Sequence, residues 1–354
     1  QIGLDPLFEK AENPFPWMSA RVADRPPQDG VALALRAAVG LGALEVLPVG
    51  GFRDRWDLAL LGDAVRQLGE VWGGVARGTV GLSDAAAEAI AGRGVVDRRG
   101  DALTLRSVRD ALDTPLPEED ALPSLASLPS WLPQAVSARA EAPFADWLAE
   151  MRSLSPMFVA LPGLERSPEA VAAAVRVAQE ELAAHLGVLH EVNTDEKGLS
   201  LTAAFGLPGA AVERPAENAV RCAEALLRRF EARDVTARIG VTTGRFFVGV
   251  VGDAWRRELA VVGPAMNLAA RFAFEGSAGV VVDDATRRLT EEIAHYRELG
   301  ATRLKGFVEP VARWSLVETQ RRSNVTRAPG LVGRAAELAT LGRCLAEFEA
   351  GRDA

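Results

Sequence analysis

Asn267 and Arg271 stand four residues apart in GPAMNLAARFAFE. On a helix they project from one face toward one point, an amide that both donates and accepts hydrogen bonds beside a permanent cation. A solvated helix face would show the same spacing, so the pair takes its meaning from its surroundings. Lys305, in TRLKGFVEP, adds a second cation ahead of a glycine. Other chemistries find little support. His185, His190 and His295 are scattered without metal-ligand spacing. No Ser/His/Asp or Cys/His set is suggested, and no G-x-x-x-x-G-K-[ST] phosphate loop occurs in the sequence.

The elements that must hold these residues occur twice. ALRAAVGLGALEVLPVGG lies over TARIGVTTGRFFVGVVGD with Gly42 on Gly244 and Gly50 on Gly252, an offset of 202. WDLALLGDAV lies over RELAVVGPAM with Gly62 on Gly263, an offset of 201 that Gly78 and Gly279 keep. Such self-similarity marks a duplicated domain. Each copy predicts two alternating strands joined by a Gly turn, a third strand, a helix and a further strand. Ahead of the second copy the pattern predicts a strand at 157–161, a helix at 168–186, strands at 188–192 and 199–205, and a helix at 217–230.

Residues 1–30 do not resemble the second copy's 201–240, so the first copy is expected to lack its front half. The expected organisation is an irregular segment at 1–30, a partial first copy at 31–110, a linker with a short helical approach at 111–149, a complete second copy at 150–320, and a linker opening a helical segment at 321–354. The linker is rich in Pro, Ser and acidic residues, and the approach helix is expected over 131–151.

Composition bounds the setting. With 354 residues, 48% apolar and 25% charged, the chain has room for two globular domains. A net charge of -8 and the lack of a basic stripe interleaved with aromatics argue against a nucleic-acid partner. The longest apolar stretch, 31–52, is interrupted by Arg36 and Glu45 and falls short of the roughly 20 clean residues a membrane helix needs. Two cysteines far apart, Cys222 and Cys344, fit a reducing compartment, and the expected location is the cytoplasm.

The string ELAVVGPAMNLAARFAFEGSAGVVV resembles the class III adenylyl and guanylyl cyclases, whose strand, glycine and V-N-x-x-x-R helix it reproduces as Gly263, Met266, Asn267 and Arg271. RIGVTTGRFFVGVVGDAWRRELAVVG, DEKGLSLTAAFGLPGA and TRLKGFVEPV are similar to the second domain of the soluble, bicarbonate-responsive adenylyl cyclases and their bacterial relatives. In those relatives two cyclase domains precede a large ATPase, whose opening the tail LVGRAAELATL resembles. The fold implied is α+β, a ferredoxin-like βαββαβ core with one complete domain plus a partial second copy. Two such domains pair head to tail, with the reactive sites at their interface.

The chemistry implied is attack of the ribose 3'-hydroxyl on the α-phosphorus with loss of pyrophosphate. By the resemblance, Asn267 orients the ribose, Arg271 stabilises the charged transition state and Lys305 reaches the phosphates, all facing the domain interface. The partner domain supplies two aspartates for Mg or Mn. In this chain the first of those aspartates falls on Ala160, which cannot ligate, and Arg66 and Glu70 stand where the first copy would need Asn and Arg. No metal ligands are found.

The base-reading positions fall on Glu191 and Ala260. Glu191 resembles the guanylyl pattern, because a carboxylate accepts from two N–H groups of guanine, whereas Ala260 fits neither pattern. Asp195 and Lys197 read as structural. Two functions are implied: half of an adenylate cyclase acting on ATP, with GTP as the other nucleotide, or a catalytically silent module that regulates or scaffolds a downstream ATPase.

Overall fold

The computed structural model describes residues 35–109, 130–132, 150–195, 197–208, 213–252, 257–304, 307, 309–320, 339–340 and 342–343. The first unit runs β1 (Ala37–Val39), β2 (Glu45–Phe52), β3 (Arg55–Leu61), α1 (Asp63–Trp72), β4 (Val80–Leu82), α2 (Asp84–Ala89), β5 (Gly94–Arg99) and β6 (Ala102–Val108). Four strands form a sheet in the order β1-β4-β6-β5, while β2 and β3 form a separate hairpin. Its two-residue turn places Arg53 at φ 51° and Asp54 at φ 58°, the left-handed pair whose twist matches that of the flanking strands.

The second unit runs β7 (Glu150–Leu161), α3 (Pro168–Ala184), β8 (Gly187–Asp195), β9 (Gly198–Phe205), α4 (Pro215–Glu231), β10 (Arg238–Val241), β11 (Gly244–Gly252), β12 (Arg257–Val262), α5 (Pro264–Glu275), β13 (Gly279–Val282), α6 (Asp284–Thr290), β14 (Ala294–Thr302) and β15 (Val311–Thr319). Its sheet has the order β12-β11-β7-β10-β13-β15-β14, and β9 pairs with β7 and β8. Local sequence explains α3: the Ser167 hydroxyl accepts from the Ala170 amide, Pro168 supplies a preset φ in the first turn, and Val171, Ala174, Val175, Ala178 and Leu182 make one apolar stripe. That stripe and α4 cover Met157, Val159, Leu161, Ile239 and Val241 on one face of the sheet. On the opposite face Leu268 and Phe272 of α5 pack with Val281 and Leu304.

The repeat read in the glycines is also a repeat of connectivity. β1 pairs parallel to β4 as β10 does to β13. β6 pairs antiparallel to β4 and β5 as β15 does to β13 and β14. The two hairpins share one register: Val49, Leu47 and Glu45 face Asp57, Ala59 and Leu61, as Val251, Gly249 and Phe247 face Glu258, Ala260 and Val262. One strand breaks the parallel. β7 bridges β10 and β11 in the second unit, and among the described residues β1 and β2 have no such strand between them.

The units meet where the β2–β3 hairpin lies on α3 and along β8. Val49, Ala59 and Leu61 enter the same core as Val171, Val175 and Ala178. Gln179 fastens the hairpin: its Oε1 accepts from the Phe52 amide at 3.1 Å, and its Nε2 donates to the Arg55 carbonyl at 3.1 Å. The Thr194 hydroxyl of β8 donates to the Leu60 carbonyl.

The helical approach expected over 131–151 needs correction at its C-terminal end. Glu150 and Met151 begin β7, opposite Val248 and Phe247 of β11, so the ladder with β11 overrides local helix preference there. The rest of that approach, the linker at 110–129, residues 1–34 and most of 321–354 lie outside the described residues, although 339–340 and 342–343 are helical. No described helix is long and apolar enough to cross a membrane.

Candidate active site

Helix α5 carries the Asn/Arg pair, and four local devices fix its position. Gly263 precedes it because a Cβ there would stand 2.5 Å from the Phe246 ring. Thr242 Oγ1 donates to the Ala265 carbonyl at 2.7 Å. Gly240 of β10 lets the helix backbone approach so closely that a Cβ would lie 2.0 Å from the Ala269 oxygen. Phe274 packs against Phe158 of β7 with the rings tilted by 59° and their centroids 5.1 Å apart, and the Lys197 ammonium lies 5.0 Å from the Phe274 centroid.

On this seat Asn267 is exposed and Arg271 is half-buried. Arg271 Nη1 lies 3.5 Å from Glu275 Oε1 one turn on, an ion pair with both partners open to water. The pair therefore projects from a rigid support toward solvent. The described contacts between the two units run through β2–β3, α1, α3 and β8, while α5 packs on β7, β10, β11 and β13 of its own unit. The expectation that Asn267 and Arg271 line the surface where the copies meet is corrected accordingly: burial of the β2–β3 side chains on α3 sets that surface, on the opposite side of the sheet from α5.

Lys305 lies outside the described residues. Its neighbours are anchored, since Leu304 is buried against Leu268 and Phe272, Phe307 packs on the same cluster, and the Phe307 amide donates to the Leu304 carbonyl at 3.1 Å. Glu191 is exposed on β8 opposite Thr202. Ala260 is half-buried on β12 opposite Gly249. Asp195 accepts from the Lys197 amide at 2.8 Å, which closes the β8–β9 turn.

Ala160 is buried at 3% exposure between Ser200 of β9 and Arg238 of β10. The Arg238 Nε is itself buried without a hydrogen-bond partner. A methyl group beside a guanidinium offers no donor set for a divalent cation, so the residues present do not fit a metal. Among the described residues no group of three or more His, Cys, Asp or Glu is placed to hold one. In the first unit, Arg66 and Glu70 pair with each other at 2.5 Å, and Arg66 also pairs with Asp63 at 3.1 Å. They are spent on one another along an exposed helix face.

Below the site a chain of hydroxyls ties β7 to α6. Ser155 Oγ and Thr243 Oγ1 are 2.9 Å apart, as are Thr243 Oγ1 and Thr286 Oγ1, and Asp283 accepts from the Thr286 amide at 2.9 Å. Burial pushes the Asp283 carboxyl above its ordinary value, against the pull of these donors.

Residues 161–318 match the adenylate and guanylate cyclase catalytic domain. The chain is 29% identical over 175 residues to adenylate cyclase type 10 of Rattus norvegicus, a stretch covering 46% of this chain and 11% of that protein. It is 30% identical over 182 residues to adenylate cyclase 1 of Rhizobium meliloti (strain 1021), covering 46% of this chain and 26% of that one. The chain thus aligns with a small part of either cyclase. Among solved structures it is similar to the adenylyl cyclase CyaB from P. aeruginosa, at 20% identity and TM-score 0.45, covering 49% of this chain and 98% of that one.

One feature of the second unit left only a faint trace in the sequence. Gln179 is 7% exposed, a polar residue beside the apolar stripe of α3. A buried amide must find partners, and its place next to Val175 and Ala178 signals a contact with backbone from elsewhere.

Proposed function

We propose that residues 150–319 supply the ribose- and phosphate-facing half of a nucleotidyl cyclase site, with ATP as the substrate. The carrying observation is the pair Asn267 and Arg271, held on a tightly seated helix and open to solvent inside the matched segment. The names of the two relatives favour ATP over GTP. The Asn267 amide would orient the ribose, and Arg271 would exchange Glu275 for the phosphoryl oxygens. An exposed ion pair of that kind is worth less than about 1 kcal/mol, so little opposes the exchange. In this reading Lys305 also reaches the phosphates, and Glu191 and Ala260 stand at the base-reading positions. Residues 35–109 are the back half of a second cyclase domain in tandem, and the tail opens the ATPase segment. Carboxylates for a metal pair would come from a domain other than 150–319.

A second reading, a catalytically silent module, is favoured by Ala160 and the guanidinium of Arg238 where a metal ligand would be required. The test is production of cyclic AMP and cyclic GMP by the purified chain with manganese, beside equilibrium binding of a non-hydrolysable ATP analogue. Turnover near background is expected, since loss of even one preorganised charge-stabilising group costs about 100 to 1,000-fold in rate. Analogue binding that weakens in Arg271→Ala supports the half-site. No binding by the parent chain supports the silent module, and robust turnover abolished by Arg271→Ala would show that carboxylates in this chain do hold the metals.

A further inference from the structure

Three consecutive residues at the tip of the β2–β3 hairpin meet three consecutive residues of the segment that joins the two units. Asp54 Oδ2 accepts from the Ser130 hydroxyl at 2.6 Å, and Arg55 Nη1 donates to the Leu132 carbonyl at 2.8 Å. The Trp56 and Trp131 rings lie with centroids 6.3 Å apart, tilted by 31°. The Ser130 hydroxyl holds the Asp54 carboxyl below its ordinary value, helped by the Trp56 indole N–H, which donates to it at 3.2 Å. The Trp56 ring in turn lies against Gly51, where a Cβ would stand 2.7 Å from it. Ser130 and Trp131 form a single 3-10 turn, and Pro129 and Pro133 flank it in the sequence. Proline restricts its own backbone and that of the residue before it, so this stretch loses little freedom when it docks. In the aligned hairpin Arg257 stands opposite Gly252 as Trp56 stands opposite Gly50, so the indole is particular to the copy that meets the linker.

We propose that residues 130–132 are a strap by which the connection between the units locks the β2–β3 hairpin onto α3, so that displacing the connection loosens the contact between the units. Arg55 carries the coupling, because its carbonyl accepts from Gln179 Nε2 at 3.1 Å while its guanidinium holds Leu132. On the other side of the turn, Phe52 gives its amide to Gln179 Oε1. Freeing Leu132 and Trp131 therefore removes the linker's share of what fixes Arg55 and Trp56, and the hydrogen bonds to Gln179 are left to hold the tip. The exposed polar contacts contribute little. The ring pair supplies the larger share, a factor of about 2 to 10 in an opening equilibrium. The proposal stands on these contacts and is independent of the catalytic reading.

The experiment follows hydrogen exchange of the Phe52 amide in the full chain, because the acceptor of that amide is Gln179 and no part of the strap. Trp131→Ala is expected to speed the exchange about 2- to 10-fold, and Trp131→Phe, which keeps a ring, to restore most of the protection. Ser130→Asp sets a second carboxylate against Asp54 and should also speed it, by a factor that shrinks as salt is raised. Ser130→Asn, a neutral donor, should keep the parent's rate. In a Trp56→Ala background Trp131→Ala should add almost nothing, since the rings act as a pair. The Ile239 amide of β10 and the far-UV circular dichroism should match the parent in every variant. Phe52 exchange at the parent's rate in Trp131→Ala or in Ser130→Asp overturns the proposal, because a purely local role for the linker leaves that amide untouched. So does an undiminished effect of Trp131→Ala in the Trp56→Ala background.

Discussion

The closeness of α5 to β10 can be tested by one methyl group. A Cβ at Gly240 would stand 2.0 Å from the Ala269 carbonyl oxygen and 3.0 Å from Phe272 Cβ. Ordinary contact begins near 3.4 Å, and the obstacle is helix backbone, so α5 must retreat by about 1.4 Å for Gly240→Ala to fit. Overpacking of this kind costs about 1 to 3 kcal/mol. For a domain of this size that corresponds to a fall in Tm of about 2 to 12 °C. The same retreat carries Asn267 and Arg271 with it, and a misplacement of about 1 Å costs on the order of 100-fold in a positioned reaction. Thermal unfolding by circular dichroism measures the first effect, and affinity for the ATP analogue reports the second. Gly73→Ala is the control, because nothing lies within 4 Å of a Cβ there and its φ of -61° is helical. A Gly240→Ala protein with the Tm of the parent and unchanged analogue binding would refute the idea that this contact seats the site.

Tyr296 is the chain's one tyrosine, and burial pushes its phenol up to about 12, so tyrosinate absorbance should titrate as a single group near that value in the native protein and near 10 once unfolded. Because the folded value is the higher one, Tyr296's stabilising contribution is complete below about pH 10 and is lost as pH rises toward 12, which Tyr296→Phe should suppress in a stability–pH profile. Thr243→Val strands the buried hydroxyls of Ser155 and Thr286 and should cost about 1 to 3 kcal/mol in denaturant unfolding. Gln179→Ala removes the acceptor of the Phe52 amide, whose hydrogen exchange should speed up well before that of Ile239 in the core.

Much of the second unit is legible in the sequence because its signals are local. Ser167 and Pro168 start α3, apolar spacing carries it to Ala184, and Gly244 and Gly263, two of the glycines that mark the repeat, bound the β11–β12 hairpin. The four-residue spacing of Asn267 and Arg271 foretells a shared face, and α5 supplies it. What escaped the sequence is tertiary. The start of β7 at Glu150 depends on pairing with β11, almost a hundred residues away in order. The seating of β2–β3 on α3 joins Phe52 to Gln179, two residues with no local reason to meet. The surface where the units meet is hidden from the sequence for that reason: both hairpins are apolar on both faces, and alternation alone does not say which face is sealed.

Among the described residues the outer edge of β2 pairs with no strand. Where the second unit carries Val250, the first carries Pro48, within the ladder opposite Leu58. A proline sits in such a ladder only where its missing N–H faces away from the partner strand, so the outer edge of β2 lacks one donor in its row. A strand with apolar side chains on both faces and an unpaired edge is a template for growth between chains, above all while the polypeptide is still folding and α3 is not yet in place. Pro48 interrupts that template at its middle, which lets an unusually sticky hairpin wait for its acceptor without recruiting its neighbours into an aggregate.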